Sequence, residues 1–329
     1  VNINEARDVI NHILSINPEQ SIMLWGPPGV GKSDLIRQIA AEQGLEVLDL
    51  RLSQMDPPDL RGMPFPKDGA TTFYPPAELP TAPGKLIFLD EMNAAPRAVM
   101  AAAMQLTLDR QLGQYRVPDG TPIIAAGNRV QDKAVANRMP SALNNRFIHI
   151  QVEVDLTCMV KYMLENAWPM EVIQFLRFRP NLLHSMPDNL RDGESFPSPR
   201  SWEFVIRSKA LEVANKDLRR HLLVGAVGEA AMVELEGFIR TVKNLPNLDH
   251  VLTDPHNAPL PQQTDAKYAV AGALAAKASA VNLASIMAYL ERFQEKEYMA
   301  MAMHNIVKTK GELRSASQVV NWMAQNRAA

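Results

Sequence analysis

Over the first half of the chain, short apolar runs alternate with stretches of helical periodicity. Residues 21–25 form an apolar run that ends in Gly26, Pro27 and Pro28. In residues 33–41, Leu35, Ile36, Ile39 and Ala40 recur at helical spacing, and Gly44 supplies a stop. Residues 47–52 and 85–90 read as strands. Residues 95–109 read as a helix with Val99, Ala103 and Leu106 on one face, and residues 123–127 and 147–152 as two further strands. Strands that are apolar throughout suit a sheet covered on both faces. Five of them with intervening helices predict an α/β domain on a five-stranded, parallel or mostly parallel sheet.

Two insertions interrupt this rhythm. Residues 55–83 hold eight of the chain's 24 prolines, which argues against a regular core helix. Within them, residues 59–64 and 71–74 are expected to form a small projecting hairpin. The second insertion sets residues 111–117 and 121–125 on either side of Pro118-Asp119-Gly120, a turn signal that predicts another hairpin. From Leu156 onward the pattern is helical. Asp155 can cap residues 156–165, Pro169 opens the next helix, and Ser198-Pro199 opens another through Ala210. Residues 219–242 are one long periodic segment. Residues 245–263, with four prolines, read as a linker, and residues 264–293, 297–308 and 315–326 as helices. The expected domains are 1–154, an α/β core; 155–245, a helical lid; 246–263, a linker; and 264–329, a helical extension.

Composition narrows the classes. The 329 residues suggest about two domains. Lys and Arg number 34 against 36 Asp and Glu, a net charge of −2 that argues against a dedicated nucleic-acid binder. A single cysteine, Cys158, forbids an internal disulfide and suits a reducing compartment. Residues 1–7 carry Glu5 and Arg7 and lack the apolar core of a signal peptide. The alanine-rich segment 268–290 is broken by Lys277, Asn282 and two serines, which suits a packed helix rather than a membrane span. The expectation is a cytoplasmic protein without a membrane anchor. The methionines at 299, 301 and 303 read as core filler.

The strongest chemical signal is Gly26-Pro27-Pro28-Gly29-Val30-Gly31-Lys32-Ser33, followed by Asp34. It matches G-x-x-x-x-G-K-[ST] between an apolar strand and a helix. Glycines let backbone N–H groups curl around phosphate oxygens, and the helix start aims its unpaired N–H groups at the same anion. Lys32 should reach the β- and γ-phosphates, and Ser33 should hold Mg²⁺. The apolar run 86–89 ends in Asp90 and Glu91, 58 residues after Lys32. Ligands sit at such carboxyl ends in parallel sheets. Asp90 would hold the Mg²⁺ shell, and Glu91 would orient and deprotonate the attacking water. Trp25, beside the phosphate loop, suits either the core or the wall of an adenine pocket.

With these two motifs the chain resembles the AAA+ ATPases, and within them the MoxR-type group, over residues 2–245. Ile123-Ile124-Ala125-Ala126-Gly127-Asn128 resembles the sensor 1 strand, with Asn128 at the γ-phosphate or attacking water. Residues 141–147 resemble the segment carrying the arginine finger. Arg146 is the choice, with Arg138 or Arg129 as fallback, and Asn145 stands where the family usually has Asp. Pro197-Ser198-Pro199-Arg200-Ser201 resembles sensor 2, which implies that Arg200 reaches the γ-phosphate from its own subunit. The proline-rich insert, notably Asp59-Leu60-Arg61-Gly62, resembles the helix 2 insert of this clade. Ala94 replaces the family's usual Arg, and Arg97 is the candidate to compensate.

The resemblance implies ATP and Mg²⁺ as ligands. It implies a homo-oligomeric ring, a hexamer, with an arginine finger in trans. It also implies chaperone-like remodelling of a protein client alongside a von Willebrand factor A-domain partner. A nucleic-acid motor or loader on the same fold is the alternative and requires a basic, salt-sensitive pore. A non-hydrolysing switch is the third class, and Glu91, Asn128 and Arg146 argue against it. The histidines show no paired metal spacing, and no nucleophile elbow is present.

Overall fold

The computed structural model describes residues 1–129, 132, 139, 145–187, 190, 193–243, 245 and 247–326. The chain divides into two compact units, Val1–Tyr162 with Leu183–Glu212, and Met163–Leu182 with Val213–Ala329.

The first unit opens with helix α1 (Ile3–Ile16), which the periodicity reading did not single out. Its signal is local. The Asn2 side chain accepts from the N–H groups of Asn4 and Glu5 at 3.0 and 2.9 Å, and Glu5 accepts from the Asn2 N–H at 3.0 Å. There follow β1 (Ile22–Trp25), α2 (Lys32–Glu42), β2 (Glu46–Arg51), α3 (Pro57–Arg61), β3 (Met63–Lys67), β4 (Ala70–Tyr74), β5 (Lys85–Asp90), α4 (Arg97–Asp109), β6 (Gln111–Leu112), β7 (Tyr115–Arg116), β8 (Ile123–Gly127) and β9 (Ile148–Gln151). The expected sheet is present: five parallel strands in the order β2-β5-β8-β1-β9.

Successive side chains on these strands enter two different cores. Met23, Ile87, Leu89, Ile123 and Ala125 pack with Val99, Ala103 and Leu106 of α4. Ile22, Leu24, Leu86, Phe88, Ile124 and Ala126 pack with α1 and with Leu35, Ile36 and Ile39 of α2. Burial on both faces is why the strands read as continuous apolar runs.

Both insertions differ from expectation in detail. Residues 57–61 are helical, because two prolines fit a first helical turn and Asp56 and Asp59 cap it reciprocally. The hairpin is therefore β3 with β4, from Met63 to Tyr74. In the second insertion the hairpin pairs β6 with β7 and turns where Gly113 takes φ +58°. Pro118-Asp119-Gly120 forms a turn that leads into the central sheet instead. The Arg110 guanidinium donates to the carbonyls of Pro118 and Thr121 at 3.1 and 2.8 Å, while β8 pairs with β1 and β5. Helix α5 (Leu156–Glu165) and helix α7 (Pro199–Arg207) match their expected starts.

The second unit is helical, with α6 (Met170–Phe178), α8 (Lys216–Val227), α9 (Glu229–Lys243), α10 (Leu248–Thr253), α11 (Thr264–Ala276), α12 (Leu283–Leu290), α13 (Glu297–Thr309) and α14 (Ser317–Gln325). Two segments expected as single helices are each broken. Gly228, at φ +82°, separates α8 from α9. Asn282 separates α11 from α12 by accepting from the Ser279 N–H at 2.8 Å and donating to the Lys277 carbonyl at 2.9 Å. Part of the expected linker is α10. Met299 and Met303 are buried in this unit's core with Tyr289, Phe293 and Ile306. Among the described residues no helix is long and apolar enough to cross a membrane.

Candidate functional site

Strands β1, β5 and β8 are neighbours and run parallel, so their carboxyl ends share one edge. Residues 26–31 leave β1 there, Asp90 and Glu91 leave β5, and Asn128 leaves β8. Gly26 lies against the residue just past β9, where a Cβ would come within 2.7 Å of the Val152 carbonyl oxygen. Gly29 and Gly31 take φ +79° and +102°, conformations that favour glycine. Gly31 faces open space, whereas a Cβ on Gly29 would lie 2.7 Å from Ser198 Oγ. Val30 anchors the loop in the core shared by α1 and α2.

Lys32 is only 8% exposed. Its ammonium donates to the carbonyls of Gly26 and Pro27 at 2.6 and 3.1 Å and to Asn128 Oδ1 at 3.0 Å. Burial pulls its pKa down from 10.5 to about 8, with Asp90 and Asp132 opposing the shift and Arg200 and Arg129 adding to it. Ser33 Oγ donates to Asp90 Oδ2 at 3.0 Å, and Asp90 Oδ1 accepts the Glu91 N–H at 2.8 Å. Glu91 has φ +55° and ψ +35°, a left-handed conformation unusual for a residue with a Cβ. The Ser53 hydroxyl donates to the Glu91 carboxylate. Asp34 pairs with Arg37 at 2.9 Å.

Arg200 sits at the start of α7, which Ser198 and Ser201 cap reciprocally. Its N–H donates to the Gly29 carbonyl at 3.2 Å, tying that helix to the phosphate loop, and its side chain is exposed. Arg146 is exposed just before β9, as is Asn145. Arg129 is held by Asp132, with its Nε and one terminal nitrogen 2.9–3.1 Å from the carboxylate. Arg138 and residues 141–144 of the finger segment lie outside the described residues. Arg97 is exposed at the start of α4. Trp25 donates from Nε1 to His149 Nδ1 at 2.8 Å and stacks on that ring.

Four residues join the site that the sequence reading did not single out. Asn93, 1% exposed, brackets the Asn128 backbone. Its Nδ2 donates to the Asn128 carbonyl at 2.7 Å, and its Oδ1 accepts the Asn128 N–H at 3.2 Å. A Cβ on Gly127 would come within 2.5 Å of that Oδ1, so glycine is required there. The signal for Asn93 was its place just past Asp90 and Glu91. Ser53 and Asp132 are the second and third. His184 Nε2 lies 3.1 Å from the Pro28 carbonyl. No local pattern marks Ser53 or His184, because each arrives through the fold, while Asp132 comes with Asn128 and Arg129 by nearness in sequence.

The site passes a test of fit for nucleotide and metal. Gly31 leaves open space where phosphates would lie, and among the described residues the Lys32 ammonium is hydrogen-bonded to neutral acceptors. Ser33 and Asp90 offer a hydroxyl and a carboxylate oxygen side by side, the hard donors Mg²⁺ prefers.

Residues 22–154 match the model of the ATPase family associated with various cellular activities (AAA). Midasin of Giardia intestinalis is 27% identical over 202 residues, 57% of this chain and 4% of midasin. ATPase family gene 2 protein homolog B of Homo sapiens is 30% identical over 149 residues, 41% of this chain and 18% of that protein. Proteasome-activating nucleotidase of Sulfurisphaera tokodaii is 30% identical over 148 residues, 39% of this chain and 36% of that protein. The chain thus spans from 4% to 36% of the length of these relatives. Residues 22–154 thus match an AAA ATPase domain model and carry the α/β P-loop fold expected from the sequence.

Proposed function

We propose that this chain is a Mg²⁺-dependent ATPase of the MoxR type. In this reading it closes into a ring, a hexamer, and uses hydrolysis to remodel a protein client, with a von Willebrand factor A-domain protein as partner. The observation that carries the reading is the convergence of Lys32, Ser33, Asp90, Glu91 and Asn128 on one sheet edge. The MoxR assignment draws support from the proline-rich insert. It folds as α3 and the β3–β4 hairpin, with Met63, Phe65 and Tyr74 about half exposed.

The work falls to the chain's own groups. Lys32 exchanges its carbonyl acceptors for β- and γ-phosphate oxygens, and the N–H groups of residues 29–33 hold the remaining phosphate charge. Ser33 and Asp90 would hold Mg²⁺, which when bound neutralises charge on the phosphoryl oxygens. Asn128, fixed by Asn93, positions the attacking water. Glu91 accepts that water's proton once the Ser53 hydroxyl releases its carboxylate. Arg200 neutralises the γ-phosphoryl group from its own subunit, and Arg146 does so from the neighbouring one.

Phosphate release from MgATP tests the proposal. Glu91→Gln should lower turnover by about 10²–10⁴ while nucleotide binding persists. Equal turnover in variant and wild type refutes the role given to Glu91. A pull-down with the Glu91→Gln protein and ATP should retain the client.

A further inference from the structure

Residues 183–212 belong to the first unit, although the chain on either side of them runs in the second. Hydrogen bonds tie them to the phosphate loop. The His184 ring reaches the Pro28 carbonyl through Nε2 at 3.1 Å, and the Arg200 N–H donates to the Gly29 carbonyl at 3.2 Å. The Lys32 ammonium holds the preceding carbonyls, of Gly26 and Pro27. Each carbonyl from Gly26 to Gly29 is thus engaged by a donor. In the proposed mechanism Lys32 turns to the phosphates when nucleotide binds, whereas His184 and the Arg200 N–H keep their carbonyls.

A peptide unit is planar and trans, so its C=O and N–H point in opposite directions. Holding the Pro28 carbonyl therefore fixes where the Gly29 N–H points, and holding the Gly29 carbonyl does the same for the Val30 N–H. Among the described residues neither N–H has an acceptor. Gly29 takes φ +79°, and glycine's freedom lets this peptide unit rotate unless something holds it. His184 is built to do so. Leu183 before it is buried, and the Ser185 N–H after it donates to the Pro197 carbonyl at 3.0 Å. The rings of His184 and Phe196 meet in a T, with centroids 5.9 Å apart. A carbonyl oxygen only accepts, so Nε2 carries the proton. Burial and the charge on Lys32 lower the ring's pKa, against the Pro28 carbonyl and Asp132, and so favour the neutral ring.

We propose that His184 is a positioning residue for the nucleotide: its Nε2–H fixes the peptide unit joining Pro28 to Gly29, so that the Gly29 N–H is aimed at the phosphates before they arrive. This role presupposes the nucleotide-binding loop of the proposed ATPase. Loop amides contact the phosphates in the bound state and during the reaction alike, so losing the holder weakens binding rather than the chemical step.

Calorimetry with MgADP, which binds without turnover, tests this on the full-length chain. His184→Phe keeps a ring beside Phe196 and loses the donor. His184→Leu loses the donor without a ring and serves if the first variant fails to fold. His184→Gln keeps an N–H at similar reach. Both donorless variants should bind MgADP about tenfold more weakly than the wild type, the loss of one hydrogen bond, and His184→Gln should stay within about threefold. In phosphate release from MgATP the donorless variants should show the same rise in KM, with kcat changed by less than about twofold. Wild-type affinity in the donorless variants overturns the role given to His184. So does a loss in His184→Gln as large as in His184→Phe, which makes the ring's packing responsible instead of its N–H. If the wild type itself binds neither MgADP nor MgATP, the ATPase reading falls, and this role with it.

Discussion

The charge on Lys32 is the residue on which the site turns. Its ammonium is buried, and that burial is why its pKa falls to about 8. A bound triphosphate favours the charged form and raises that value. The protonated lysine is therefore the form that binds. Nucleotide affinity should be full below pH 8 and weaken as pH rises through about 8. Calorimetric affinities across that range check this, and a flat profile that matches Lys32→Met contradicts it. Asn93 makes a second case. Asn93→Ala leaves the Asn128 N–H and carbonyl without their partner in a closed setting. Stability should fall by about 1–3 kcal/mol, read by chemical denaturation, and turnover by about tenfold with KM little changed.

At the scale of elements, legibility follows burial. The five strands were readable because both faces of the sheet are covered, which leaves apolar runs with no polar alternation. Asp90, Glu91 and Asn128 stood out because each ends such a run. The Pro118-Asp119-Gly120 turn was also readable, but its role was not. A local signal fixes a chain reversal, while the sheet decides that the following strand pairs with β1 and β5 rather than with β7. The Asn282 break was hidden for a different reason: it rests on two short-range hydrogen bonds, to Ser279 and Lys277, within a stretch whose apolar positions run on across it. Ser53 and His184 lay beyond any spacing rule, because tertiary approach alone brings them to the site, whereas Asp132 sits four residues past Asn128 and pairs locally with Arg129. Helix α1 tests a signal that was legible but unused. Asn2→Ala removes the acceptor for two helix N–H groups and should cost about 1 kcal/mol in chemical denaturation, and no loss would discount the cap.

At the scale of the whole molecule, the proposal makes activity a property of assembly. Within one chain the phosphate loop, the acids of β5 and Asn128 converge, yet Arg146 stands exposed just before β9. A finger supplied by a neighbour is worth about 10³–10⁵ in turnover. In the proposed ring, head-to-tail contacts would place one copy's Arg146 beside the next copy's nucleotide. Mixing two inactive proteins tests this most directly. Arg146→Ala keeps Glu91, and Glu91→Gln keeps Arg146. Each alone should release almost no phosphate, and the mixture should recover turnover that rises with protein concentration, because some interfaces then unite both intact groups. If Arg146→Ala alone turns over ATP like the wild type, or if the mixture stays as inactive as its parts, the shared site does not exist.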